Sequence, residues 1–212
     1  MANSRMERIA PLSGAVFCLL ALAAALTVNN YSYLPPADEV QSFFVDGSTR
    51  IQYAGYLGAV SGVFLIWFAG SVRNSLRPAE GGTGRLSAVA FGGGAVGGGL
   101  VALAFSVLQV GGSRGGTDAG ISTDTATVIF DVYGAVMGVA LPMALAALIG
   151  AAAITAFRTQ EWPTWLAWSS AILAVGSISP VSYIFIGIDL LWILYVSVWL
   201  FTKERGEPSP AR

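Results

Sequence analysis

Two aspartates lie where an apolar chain would ordinarily place none. Asp189 falls near the middle of the run 181–201, which at ~1.5 Å per residue is long enough to cross a ~30 Å hydrocarbon core as a helix. A carboxylate at that depth costs ~2.5–3.5 kcal/mol on insertion scales, so it normally faces a bundle interior and marks a function. Asp131 lies in an earlier apolar run. Counted from the starts of their helices, Asp131 is ~8 Å deep and Asp189 ~12 Å deep. The expectation is that the two acids share one cavity opening outward. Burial and a neighbouring carboxylate both disfavour ionisation, so such a pair holds a proton and offers a general acid. A structural alternative is open for each: Asp131 snorkelling to the surface, and Asp189 bonding a Tyr or Ser.

Aromatic side chains gather near these acids in the sequence. Phe185 and Trp192 flank Asp189, Tyr133 follows Asp131, and Tyr53 and Tyr56 sit at similar depth on the second span. Aromatic faces stabilise a desolvated cation by ~0.5–2 kcal/mol each. An interfacial belt accounts for Trp162, Trp165 and Tyr31, but not for Trp192 near mid-membrane. A dry, aromatic, acidic cavity is what proton-initiated cyclisation of an isoprenoid chain requires. The leading expectation is therefore a metal-independent, cofactor-free cyclase or isomerase acting on a lipophilic prenylated substrate. Asp189 would be the proton donor or its partner, Asp131 the second acid, and Tyr53, Tyr56, Tyr133, Phe185 and Trp192 the wall. Two other classes stand beside it. One is a small proton- or cation-coupled transporter using the same acids, although the two halves show no internal repeat. The other is a scaffold or accessory membrane subunit without chemistry of its own.

Composition removes many alternatives. With 55% hydrophobic and 11% charged residues, the chain is far from the ~25% charged content of soluble domains. A net charge of −1 leaves no basic patch for a nucleic-acid partner. The absence of histidine excludes a serine–histidine nucleophile and imidazole-ligated zinc or haem. Cys18, the single cysteine, excludes paired-thiol redox chemistry. No DDxxD or DxDD run is present for diphosphate chemistry; Ser122-Thr123-Asp124-Thr125 matches neither.

Positioning the acids requires an all-α polytopic bundle forming a single membrane domain. Six spans are expected: about 9–28, 51–72, 86–110, 126–157 (over-long and interrupted by Pro142), a short fifth at 163–178, and the last. Pro163 suits a first helical position and Pro180 the final turn. Arg5 and Arg8 precede the first run in the manner of a signal peptide, but Asn29-Asn30-Tyr31 offers no small-residue cleavage site. In a six-span arrangement Arg5, Arg8, Arg73, Arg77, Arg85, Arg158, Lys203, Arg205 and Arg212 share one side, with Arg50 and Arg114 on the other. The positive-inside rule then places both termini, including the tail 203–212, in the cytoplasm of a bacterial cell, the surrounding membrane lipid being the bulk partner. Outside, 37–46 reads as a short amphipathic helix capped by Asp38, with Val40, Phe43 and Phe44 on its apolar side, a lid or interfacial anchor. Residues 111–125 read as a mobile Gly/Ser/Thr-rich loop. On the third span Gly93 with Gly97 and Gly94 with Gly98 allow a close helix approach, within the bundle or in a homo-oligomer.

Leu76-Arg77-Pro78-Ala79-Glu80-Gly81-Gly82, Arg85-Leu86-Ser87-Ala88-Val89-Ala90-Phe91-Gly92-Gly93-Gly94 and Trp162-Pro163-Thr164-Trp165-Leu166 resemble a group of small bacterial integral membrane proteins, largely without assigned function. The likeness extends over most of 38–200 and implies the architecture. More loosely, Asp189 in the last helix, with Asp131, resembles the intramembrane acids of membrane-bound terpene cyclases, both the fungal meroterpenoid type and the bacterial type acting on prenylated indole diketopiperazines. That resemblance implies acid-initiated cyclisation by a small helical bundle. The fungal cyclases carry a further acid in an early helix. The early spans here contain none, and Glu39 would take its place only by folding over the cavity.

Overall fold

The structure is a computed structural model and describes residues 9–28 and 35–206, with side chains to 203. Arg5, Arg8, Asn29, Asn30, Tyr31 and Arg212, and the side chain of Arg205, lie outside the described residues. All regular structure among the described residues is helical. A 3-10 turn, Ala10–Leu12, leads into α1 (Ser13–Val28). Then follow α2 (Ala37–Asp46), α3 (Ser48–Glu80), α4 (Arg85–Gly115) and α5 (Thr123–Ala135). A π turn (Val136–Ala140) joins α5 to α6 (Leu141–Thr159), and α7 (Thr164–Ile178) and α8 (Ser182–Gly206) complete the chain.

Five stretches are long and apolar enough to cross a membrane: Ala10–Val28, Ser48–Glu80, Arg85–Gly115, Thr123–Thr159 and Ser182–Lys203. The sixth expected span, α7, is apolar but has 15 residues, a rise of only ~22 Å. These helices fit an integral membrane protein. They close a ring in which α1 packs on α3, α3 on α4, α4 on α6, α6 on α7, α7 on α8, and α8 back on α1.

Glycine sets the spacing of this ring. A Cβ on Gly62 of α3 would collide with the Gly98 carbonyl of α4. One on Gly93 would come within 2.7 Å of the Ala144 carbonyl on α6, and one on Gly94 would meet Ala69 on α3. Gly93, Gly94 and Gly98 of α4 are thus closed off by neighbours within the chain, Gly97 has room for a Cβ at ordinary contact distance, and Gly92 and Gly99 have open space outside them. The α3–α4 turn explains the Glu-Gly-Gly-Thr-Gly stretch. Gly81, Gly82 and Gly84 take φ of 65°, 56° and 64°, a region that costs a residue with a Cβ. Their reversal brings Glu80 back over the start of α4, where its carboxylate accepts from the N–H groups of Leu86 (2.7 Å) and Ser87 (2.8 Å).

α3 (33 residues), α4 (31) and the α5–α6 rod (37) are much longer than the 22-residue apolar part of α8. They overshoot it by about 15–20 Å at the end that carries α2. This overhang, with α2, forms a helical cap; the α3–α4 turn marks the opposite, hairpin end. In the cap, Val40, Phe43 and Phe44 of α2 are buried against the bundle. Phe44 lies over Gly111 and Gly115 of α4, and the Phe43 ring meets Phe130 of α5 at 6.1 Å. The apolar side of α2 therefore faces protein and not lipid. Pro36, not Asp38, is its N-cap; Asp38 sits in the first turn, where its charge suits the helix dipole without a capping bond. The expected loop 111–125 is also shorter than read: α4 runs to Gly115 and α5 starts at Thr123 behind the Ser122 cap. Gln41 ties this corner to α2, donating to the Ile121 carbonyl (2.8 Å) and accepting from the Thr123 hydroxyl (2.7 Å).

Candidate functional site

The last two helices meet along a polar seam. Ser170 and Ser177 lie two turns apart on one face of α7, opposite Asp189 and Trp192 on α8. Asp189 is fully buried, at 0% exposure. The Ser177 hydroxyl lies 3.2 Å from each of its carboxyl oxygens and 3.0 Å from the Leu173 carbonyl. A hydroxyl carries one proton. With a neutral carboxyl, Asp189 donates to Ser177 and Ser177 donates to Leu173, so every group is satisfied. With a carboxylate, the single Ser177 proton serves either the acid or the carbonyl. Among the described residues the ion pair is Lys203 with Glu161, so no cation meets Asp189.

Trp192, one turn from Asp189, is 6% exposed. Its Nε1–H donates to the Ser170 hydroxyl at 2.8 Å, which in turn donates to the Leu166 carbonyl at 2.6 Å. Edge-on contacts with Phe68 (6.5 Å) and a tilted contact with Trp162 (6.3 Å) fix the indole. The Phe185 ring packs against Gly176, where a Cβ would overlap it.

The structure separates the two acids. α5–α6 and α8 run in the same direction, from cap to hairpin end, and touch where Ser182 donates to the Gly138 carbonyl at 2.9 Å. Pro142 has no N–H to return to Gly138, so the π turn and this serine make up for the missing helical bond. Asp131 is about two turns from that contact toward the cap, and Asp189 about two turns toward the hairpin end. They are therefore ~20 Å apart along the bundle axis. The expected common depth is corrected accordingly: α5 begins well beyond the level at which α8 begins.

The remaining expected wall residues are dispersed. Asp131 is exposed on α5. Tyr133, next to it, stacks edge-on against Phe105 of α4 at 5.5 Å. Tyr53 and Tyr56 are 69% and 63% exposed on the first turns of α3. Glu39 is exposed on α2, whose buried face holds it to the cap. Of the expected residues, the fold brings together Asp189, Trp192 and Phe185, and it adds Ser170, Ser177 and Ser182. The signal for the first two serines was their spacing on one face of a short apolar helix.

Among the described residues, cavities open at opposite ends of the molecule. One of about 480 Å³ adjoins Asn74, Ser75, Pro78 and Lys203 at the hairpin end. The other, about 410 Å³, lies at the α2–α3 corner around Phe43, Asp46 and Arg50. Neither wall includes Asp131 or Asp189. Among the described residues no three Asp, Glu or Cys side chains converge as metal ligands. No known protein family, curated protein or solved structure matches the chain.

Proposed function

We propose that this chain is an integral membrane scaffold whose ring of apolar helices anchors the α2–α5 cap at one membrane face. The observation that carries this reading is the α7–α8 seam. Its buried acid and indole bond to serines of the adjacent helix, which is how a bundle satisfies polar groups that water cannot reach. Arg73, Arg77, Arg85, Arg158 and Lys203 crowd the hairpin end, whereas Arg50 and Arg114 belong to the cap. The positive-inside rule then places the hairpin end in the cytoplasm and the cap outside a bacterial cytoplasmic membrane. Cysteine labelling tests this topology. A Thr117→Cys variant should react with a membrane-impermeant maleimide in intact cells, and Thr83→Cys only after lysis. The reverse pattern would invert the assignment.

A second reading, acid-initiated cyclisation of a prenylated lipophile, keeps one observation in its favour. Asp189 has a hydroxyl partner and, among the described residues, no neutralising cation, and the Trp192 ring lies one turn away. In that reading substrate must part α7 from α8 to reach the acid. Purified protein incubated with a farnesylated substrate distinguishes the two. A cyclised product lost on Asp189→Asn, in a variant of unchanged thermal midpoint, would overturn the scaffold.

A further inference from the structure

Where the hairpin end of α3 meets α8, the 480 Å³ cavity has a divided lining. Buried Leu200 and the exposed ring of Pro78 supply the apolar part of the lining. The Asn74 and Ser75 side chains on its wall bond to no other described residue. Pro78 has no N–H, so the Asn74 carbonyl lacks its donor one turn on. These are the last turns of α3, where the helix dipole presents its negative end. Glu161 adds a carboxylate to the rim. Among the described residues the cation of the lining is Lys203, which pairs with Glu161 and lies 5.5 Å from the Trp199 ring centre. Acceptors from two parts of the chain thus line the cavity, with an ammonium beside them.

We propose that this cavity binds the headgroup of a phosphoethanolamine lipid from the surrounding leaflet. The proposal rests on the membrane placement given above. The lipid ammonium has three N–H donors, matched by the Asn74 carbonyl, the Ser75 hydroxyl and Glu161, and its phosphate meets the free N–H groups of Lys203. Its acyl chains run along the exposed apolar face of α3 at Val63 and Trp67, two to three turns before Asn74 on the same side of the helix. A choline head has no N–H to offer that wall, and a phosphoglycerol head has no cation for it.

The test is native mass spectrometry of the purified full chain with equimolar ethanolamine, choline and glycerol phospholipids of matched acyl chains. The ethanolamine lipid should be retained about tenfold over either competitor, the scale of one charge-assisted hydrogen bond. Glu161→Gln should bring that preference to within about twofold, and Ser75→Ala should lower it by a smaller factor; the second variant decides should the first not fold. Equal retention of the three lipids, or an unchanged preference in both variants, overturns the proposal. So does displacement by soluble glycerophosphoethanolamine at the concentration needed for a short-chain ethanolamine lipid, since the ligand would then be a solute. Alkaline carbonate extraction separates the failures. Release from the membrane would sink the membrane placement itself, whereas a protein retained in the pellet without lipid preference loses only the site.

Discussion

Replacing Asp189 in three ways separates a structural acid from a chemical one. Asparagine is nearly isosteric, and its amide can donate to the Ser177 hydroxyl while Ser177 keeps its bond to the Leu173 carbonyl. Asp189→Asn should therefore cost less than ~1 kcal/mol, the net worth of one exchanged hydrogen bond. Leucine removes the polar group and leaves Ser177 satisfied by Leu173, so Asp189→Leu should be neutral or stabilising within about 1 kcal/mol. Ser177→Ala does the reverse and strands a buried carboxyl, at about 1–3 kcal/mol. In the Ser177→Ala, Asp189→Leu double variant that penalty should vanish, giving a coupling of about 1 kcal/mol or more between the sites. The assay is thermal unfolding in nanodiscs followed by tryptophan fluorescence, where 1 kcal/mol moves the midpoint by roughly 2–4 °C in a chain of this size. If Ser177→Ala shifts nothing, or Asp189→Asn is as damaging as Ser177→Ala, the hydrogen-bond assignment at the seam is wrong.

The other expectations concern the frame. Glu80→Ala removes two bonds to the start of α4 and should cost ~1–2 kcal/mol by thermal unfolding, with Glu80→Gln recovering part of it. Gly62→Val drives a side chain into the Gly98 carbonyl and should abolish the monodisperse folded species on size exclusion. Gly99→Ala, with open space around it, should instead stabilise by about 0.5–1 kcal/mol. Ser182→Ala should cost about 1–3 kcal/mol by leaving the Gly138 carbonyl bare. The same change should be nearly silent in a Pro142→Ala background, where the helix supplies its own N–H; a full penalty there would refute the account of the π turn.

The apolar runs were legible because a helix that faces lipid must be apolar over its whole width, and charge clusters mark where it stops. Of the glycine pairs of α4, Gly93, Gly94 and Gly98 are close-approach positions as read, whereas a Cβ on Gly97 would meet its neighbours at ordinary contact distance. The interruption at Pro142 was visible too, since no other residue removes a backbone donor. The depth of Asp131 was not. Counting from a helix start assumes that every helix starts at the same level, and α5 begins far beyond α8. Only the Ser182–Gly138 contact, between residues distant in sequence, reveals the offset. Nor does the sequence say that Ser177 and not a tyrosine meets Asp189. That depends on how α7 turns about its own axis, which the packing of Gly176 against Phe185 and of Gly150 toward Ala174 sets.

The brevity of α7 has a consequence for the lipid itself. A 15-residue helix offers ~22 Å of apolar length beside neighbours that offer 30 Å or more. In the proposed membrane placement the leaflets next to α7 pinch inward to meet it, at fractions of a kcal/mol per ångström of mismatch. Short-chain phospholipids relieve that strain on this flank alone, so the molecule should gather a thin annulus on one side and partition preferentially into the thinner of two coexisting bilayers.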